Sequence, residues 1–128
     1  MIQIRVSRLV ENDVVDLLNI VDEETAKLTD LTCPFTLIAA HNFIKLYNTY
    51  GIKLNTGELV GAMEIKPNGE TAYLVSKPWR RKGVCTEALK LAKRIARKQN
   101  IQTIWCKVDT QNIASTRAAK KAGIQIRN

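Results

Sequence analysis

A short apolar run in the C-terminal half of the chain leads into a basic, glycine-containing loop and then a helix. The run ends at Val75, the loop spans Arg80–Gly83, and a helical pattern begins at Val84. This order presents free backbone N–H groups and a helix N-terminus to a phosphate group. Gly83 allows close approach of the backbone, and its basic neighbours add charge. The sequence therefore predicts a phosphate-binding turn, with an ordinary basic surface turn as the alternative.

Two motifs carry a resemblance to the GNAT family of N-acetyltransferases. The pattern R-x-x-G-x-C over Arg80–Cys85 resembles the family's pyrophosphate-binding signature. The segment Asn112–Ile124, an asparagine-led helix ending in Gly-Ile, is similar to the family's second motif. The resemblance spans nearly the whole chain, with specific motifs only from about Tyr73 onward. It implies that an acetyl group passes from acetyl-coenzyme A (acetyl-CoA) to a primary amine by direct attack, without a covalent enzyme intermediate.

The same resemblance implies a set of acetyl-CoA contacts. Backbone N–H groups from Arg81 to Cys85 would converge on the pyrophosphate, and an N–H group near Val75 would stabilise the oxyanion. Cys85 stands where the family usually has glycine or alanine, and we interpret it as a small side chain that keeps the fit, not as a nucleophile. The implied contacts are Leu74, Val75, Arg80, Arg81, Lys82, Gly83, Val84, Cys85, Thr86, Asn112 and Ser115.

The general base is open between two carboxylates. Relatives often place a glutamate a few residues before the position of Val75, and Glu70 lies close to that offset, while Glu64 lies on the preceding predicted strand. A solvated glutamate at a strand end is an equally good interpretation of Glu70. His41 is the single histidine, and we interpret it as a structural residue in a helix.

The clearest departure from the family is Ala119. Relatives commonly have a tyrosine seven residues after the asparagine, where it acts as an acid toward the departing thiolate. A lost general acid typically lowers the rate by about 10²–10⁴, which weakens the case for a fast enzyme. Tyr73 is a candidate substitute.

Length and composition exclude several classes of protein. The 128 residues are 45% hydrophobic with three prolines, which predicts one folded domain over residues 1–128. No apolar run approaches the ~20 residues of a membrane span, and the N-terminus lacks a secretory pattern. Three cysteines without a C-x-x-C pair indicate neither a disulfide framework nor a metal site. We therefore expect a cytoplasmic protein.

Charge is divided unevenly along the chain. Of a net charge of +8, residues 1–64 carry −4 and residues 65–128 carry +12. A basic half suits a polyanionic co-substrate, and an acidic half suits a cationic amine. Most of the basic side chains between Lys90 and Lys98 are interpreted as one solvated helix face. Because the chain is 5% aromatic and has no interleaved aromatic stripe, we expect no nucleic-acid partner, and a nucleic-acid module that uses the basic half is the least favoured hypothesis.

The apolar patterns predict an α/β fold with a mixed, mostly antiparallel sheet flanked by helices. Asn112 and Gly123 mark the start and end of the last helix. The predicted strands are Ile2–Val6, Gly51–Leu54, Leu59–Ile65, Glu70–Val75 and Ile101–Val108, and the predicted helices cover Val14–Ala26, Phe35–Tyr47 after Pro34, and the residues from Val84 and from Asn112.

The resemblance also implies that the last strand or strands of the family are missing. The edge of the predicted strand Ile101–Val108 would then lie open, which invites pairing with another chain. We therefore expect a homodimer or a protein partner at this edge, joined through Ile124–Ile126. A catalytically weak, partner-binding member of the family is the alternative function.

Overall fold

A computed structural model describes residues 2–22, 35–46, 48–108 and 112–127. The predicted helix positions Ala26, Pro34 and Tyr47 lie outside these ranges. Two 3₁₀ turns occur at Glu11–Asp13 and Lys77–Trp79. The strands are β1 Ile4–Arg8, β2 Thr49–Leu54, β3 Leu59–Ile65, β4 Thr71–Val75, β5 Trp105–Lys107 and β6 Gln125–Arg127, and the helices are α1 Val14–Ile20, α2 Leu37–Lys45, α3 Val84–Lys98 and α4 Ile113–Ala122.

The strands form two sheets that meet at one point. Strands β1 to β4 make an antiparallel sheet in sequence order, and β5 pairs with β6 in parallel. A backbone bridge joins Glu70 to Trp105, where the Trp105 N–H donates to the Gly69 carbonyl at 3.0 Å. The predicted mixed, mostly antiparallel sheet flanked by helices is confirmed, although the strand predicted over Ile101–Val108 is only three residues long.

Alternation of side chains along the strands places one hydrophobic core on each face of the large sheet. The core on the α3 and α4 side includes Ile52, Met63 and Val75, all buried. The core on the α1 and α2 side includes Leu17 and Leu74. Strand β4 is therefore covered on both faces, and it is the element around which the two cores are arranged.

The prediction of an open sheet edge beside β5 was wrong. The segment proposed to join another chain is β6, and it pairs with β5 of its own chain in the register Trp105–Gln125, Cys106–Ile126 and Lys107–Arg127. The pairing continues as the Val108 N–H donates to the Arg127 carbonyl at 3.1 Å. The reason is the intervening helix α4, because a strand, helix and strand unit returns the second strand parallel to the first. The structure therefore gives no support for the predicted dimer or partner at this edge.

Replacement of Ile126 by lysine tests this pairing. Ile126 packs against the core opposite Cys106, so Ile126→Lys should lower the free energy of unfolding by about 1–3 kcal/mol. Gln125→Lys changes an exposed neighbour in the same strand and should stay within about 0.5 kcal/mol. Urea denaturation measures both. A dimer that Ile126→Lys turns into a monomer of unchanged stability would show that β6 pairs between chains instead.

Candidate active site

The free edge of β4 faces an opening between the two sheets. The Lys66 N–H donates to the Glu70 carbonyl and the Ser76 N–H donates to the Val60 carbonyl, both at 2.8 Å. Backbone groups alternate in direction along an antiparallel strand. Residues 70, 72, 74 and 76 therefore point their backbone groups at β3, whereas those of Tyr73 and Val75 point away from it. Beyond the bridge at Glu70, these groups line the opening.

The helix after the basic turn begins at Val84, as the sequence predicts. Gly83 adopts φ 84° and ψ 3° as the N-cap of α3, and Arg81 also has a positive φ of 63°. The Gly83 carbonyl accepts the first helical hydrogen bond, from the Glu87 N–H at 3.1 Å. The N–H groups of the first helical turn have no partner within the helix. A side chain at Gly83 would meet nothing closer than Ile2, at 3.9 Å. The turn therefore leaves open space in front of the helix N-terminus.

Arg80 connects this turn to two other elements. Its Nε donates to the Val75 carbonyl at 3.0 Å, and its Nη2 lies 3.5 Å from Oδ2 of Asp22, just after α1. In this structure the Arg80 side chain thus lies across the end of β4. The contact of Asp22 with this region could not be predicted from the sequence, because Asp22 is one of several acids in the same stretch of chain.

Tyr73 spans the space between β4 and the first turn of α4. Its hydroxyl donates to the Ser115 carbonyl at 3.3 Å, and burial raises the pKa of this hydroxyl well above its ordinary value. Asn112 positions that turn as N-cap, because its side-chain oxygen accepts the Ser115 N–H at 3.2 Å. Ala119 is fully buried one turn further along the same helix. The Tyr73 hydroxyl thus contacts α4 one turn from the position where relatives carry their tyrosine.

Both cysteines that the structure describes are held protonated at neutral pH. Burial raises the pKa of Cys85 to about 11, opposed in part by the Arg80 guanidinium. Burial, together with smaller contributions from nearby Cys85 and Glu70, raises the pKa of Cys106 to about 12. A thiol must be ionised to act as a nucleophile. The interpretation of Cys85 as a space-filling residue agrees with this chemistry.

The two candidate carboxylates lie at different heights along the sheet. Glu64 lies level with Ala72 and accepts a hydrogen bond from the Asn48 side chain at 3.3 Å. It lines a small cleft of about 30 Å³ on the α2 side, shared with Phe43 and Leu74. Glu70 instead pairs with Lys66 at 3.4 Å, at the end where the two sheets are bridged.

Other candidates lie outside this region. His41 forms an ion pair with Glu11 at 3.1 Å, and its side chain is 41% exposed. Within the described ranges, no cluster of three or more ligating side chains is placed to hold a metal ion. No helix of the described residues has the length and apolar character that crossing a membrane requires.

Comparison with known proteins gives a family model that matches the chain and solved structures that share its fold. Residues 3–125 match the family model of the acetyltransferase (GNAT) domain. The comparison with curated protein sequences gave no significant match. Several solved structures match in fold. A GNAT-family acetyltransferase from Bacillus anthracis has a TM-score of 0.81 at 17% identity, over 96% of this chain and 81% of the other.

Two further matches contain ligands. Spermidine N-acetyltransferase from Vibrio cholerae, in complex with CoA and spermine, has a TM-score of 0.80 at 12% identity, over 94% of this chain and 80% of the other. AAC(6')-Ib in complex with paromomycin and acetyl-CoA has a TM-score of 0.72 at 16% identity, over 93% and 81%. At these identities the likeness shows the fold.

The thiol pKa values predict slow alkylation. In a Cys33→Ser background, Cys85 and Cys106 should react with iodoacetamide far more slowly in the native state than in urea at pH 8, because little thiolate forms below pH values of about 11 and 12. The native rate should rise as pH approaches these values. Mass spectrometry of modified peptides measures each site. Native alkylation as fast as in urea at pH 8 would contradict the burial of these thiols.

Proposed function

For a chain that belongs to the GNAT family of acetyltransferases, we propose a reaction in which the acetyl group of acetyl-CoA passes to a primary amine by direct attack. The observation that carries this proposal is the opening beside β4, which has backbone groups that point away from β3 on one wall and the Gly83 turn at its end. One ligand with a pyrophosphate and a thioester arm matches both features. The family match over residues 3–125 supports the same assignment.

The turn would hold the pyrophosphate. N–H groups of Gly83 to Thr86 point out of the helix start, where the helix dipole favours negative charge. Exposed Arg81 and Lys82 flank them. Arg80 contributes to this charge only if its side chain leaves the Val75 carbonyl and Asp22, so we propose that its contribution is smaller than that of the backbone.

The reaction needs a donor to the thioester oxygen. We assign this role to the Val75 N–H, because it faces the opening and because Leu74 and Ser76 direct theirs at β3. A donor of this kind is typically worth about 10²–10³ in rate. As the nitrogen–carbon bond forms, the carbon–sulfur bond breaks, the nitrogen loses a proton and the leaving thiolate gains one.

We assign the general base to Glu64 rather than to Glu70. Glu64 lines the cleft on the α2 side of the sheet, whereas Glu70 is paired with Lys66 at the bridged end. The donor to the thiolate is assigned to Tyr73. Its raised pKa keeps the hydroxyl protonated, so it can donate a hydrogen bond as negative charge develops on sulfur.

The acceptor class follows from charge. The N-terminal half of the chain carries a net charge of −4. Glu64 lies on β3, next to β4, and Glu58 lies in the turn that precedes β3. Such a surface attracts a cationic amine. The solved relatives with spermine and with paromomycin are consistent with this class. The alternative, a partner-binding protein without useful activity, draws support from the buried Ala119. Mass spectrometry of acetyl transfer to a panel of amines, including spermidine, separates the two functions.

Two glycines offer a matched test of the turn. Gly83 and Gly57 have similar positive φ values, 84° and 96°, and open space around the missing side chain. Valine should therefore lower stability by about 1–3 kcal/mol at either site. Only Gly83→Val should weaken acetyl-CoA binding, by roughly tenfold or more, because only there does the side chain project at the pyrophosphate. Calorimetric titration measures this. Equal affinity in both variants would mean that acetyl-CoA does not bind at the turn.

The choice of base is tested by two isosteric changes. Glu64→Gln should lower kcat by about 10²–10⁴ with little change in KM for acetyl-CoA. Glu70→Gln should leave kcat within about threefold, since it removes only the part-buried ion pair with Lys66 at the bridged end. Steady-state kinetics with the best amine compares them. The opposite ranking would transfer the role to Glu70.

Loss of one hydroxyl tests the thiolate donor. Tyr73→Phe should lower kcat by about 10²-fold and stability by about 1 kcal/mol. Tyr50→Phe is the control, because Tyr50 is also buried and lies away from the opening. Its hydroxyl accepts a hydrogen bond from the Gln99 side-chain amide, which the variant loses. This variant should cost similar stability without the loss of kcat. If both variants keep full kcat, Tyr73 has a structural role alone.

A further inference from the structure

A second concave surface lies at the opposite end of α3 from the Gly83 turn. It has a volume of about 230 Å³ and is bounded by the last turns of α3, the segment leading to β5, and the turn between α4 and β6. Its lining includes Lys93, Arg97, Gln102, Thr103 and Gln125. We call this surface the basic groove. Arg97 lies 14 residues beyond Gly83, or about 21 Å along the helix, so the groove is separate from the proposed pyrophosphate site.

The charges of the basic groove have no balancing carboxylates. Across residues 84–108 and 112–127 there are ten lysines and arginines and one acid, Glu87, which pairs with Lys90 at 3.5 Å. Cations elsewhere in the described structure do pair with acids, as Lys53 does with Asp13 at 2.9 Å. No ion pair forms at Lys93 or Arg97 among the described residues. The groove therefore concentrates uncompensated positive charge.

Of the two groove cations, Lys93 and Arg97, the first occupies a defined position. The Lys93 ammonium lies where a side chain on Gly123 would begin, 2.9 Å from that point, so the absence of a side chain at Gly123 leaves room for it. Gly123 ends α4, where a cation also stabilises the helix dipole. That role accounts for Lys93 but not for Arg97. The helix dipole of α4 also does not explain the exposed cations on α3 and α4 outside the groove, which are Arg94, Lys98, Lys120 and Lys121.

The chemistry of the lining indicates the ligand. Lysine, arginine and amide side chains are donors to phosphate oxygens. The row of cations continues on both α3 and α4, which favours an extended polyanion over a single small anion. No aromatic side chain lines the groove, so bases would have no surface on which to stack. We propose that the basic groove binds the phosphodiester backbone of a nucleic acid without sequence preference.

The few aromatic residues led us to expect no nucleic-acid partner, but a surface that contacts phosphates alone needs no aromatic side chain for base stacking. Binding through phosphates alone typically gives dissociation constants of about 10⁻⁴–10⁻⁶ M at physiological salt. Its distinguishing property is a steep dependence on salt, since each neutralised phosphate releases counterions. The salt dependence therefore counts the contacts that the groove makes.

Fluorescence anisotropy against salt concentration tests the proposal, with a labelled 20-nucleotide single strand and a 20-base-pair duplex as probes. Lys93→Gln/Arg97→Gln removes two contacts. The slope of log K against log salt should become shallower by about 1.4 for the single strand or about 1.8 for the duplex. Arg97→Gln alone, at an exposed position that should not affect folding, should give half this change. Lys45→Gln removes the same charge from the end of α2 and should leave the slope unchanged.

Three results would overturn the proposal. The first is an unchanged slope in the double variant with both probes, when thermal melting shows a folded protein. The second is complete displacement of the probe by saturating acetyl-CoA, which would place the nucleic acid at the Gly83 turn. The third is competition by poly-glutamate as strong as that by the unlabelled oligonucleotide, which would make the groove a site for acidic protein. Retained acetyl-CoA binding by the double variant, together with the predicted change in slope, supports a separate site.

Discussion

The divergence of β4 from β5 is the constraint on which the candidate site depends. The strands are bridged at Glu70 and Trp105, and beyond that point β4 has a partner on one edge only. Buried backbone groups without partners are costly, so a free strand edge inside a fold indicates a place where something else supplies hydrogen bonds. Here the Arg80 side chain already supplies one, at the Val75 carbonyl. Among the described residues, no β-ladder joins β4 to β5 along the opening, so the packing of side chains on both faces of β4 holds this strand in place.

Ala119 and Tyr73 differ in how they contribute to the region where α4 meets β4. Ala119 is fully buried and helps α4 pack against the rest of the core. Tyr73 reaches toward the same region from the opposite wall, and its hydroxyl contacts the first turn of α4. One side chain thus fixes the distance between the strand and the helix and places a protonated oxygen between them. The chemical role proposed for Tyr73 would coincide with this structural one, which is why a control at another buried tyrosine is needed.

Local patterns in the sequence predicted much of this. The start of α3 at Val84, the capping by Asn112 and the end of α4 at Gly123 follow from residue types at particular positions. The orientation of Glu64 and Glu70 could not be predicted, because one residue of register turns a side chain to the other face. The contact of Arg80 with Asp22, and the return of β6 to β5, depend on residues far apart in sequence. Nothing in local periodicity encodes such pairings.

Amide hydrogen exchange with and without acetyl-CoA reports on individual backbone N–H groups and so locates where acetyl-CoA binds. We expect slower exchange at Tyr73 and Val75, and across Gly83 to Thr86, when acetyl-CoA is saturating. Exchange at Gln102 and Thr103, in the basic groove, should not change. Unchanged exchange along β4 and the turn, at an acetyl-CoA concentration that demonstrably saturates the protein, would show that the opening is not the binding site.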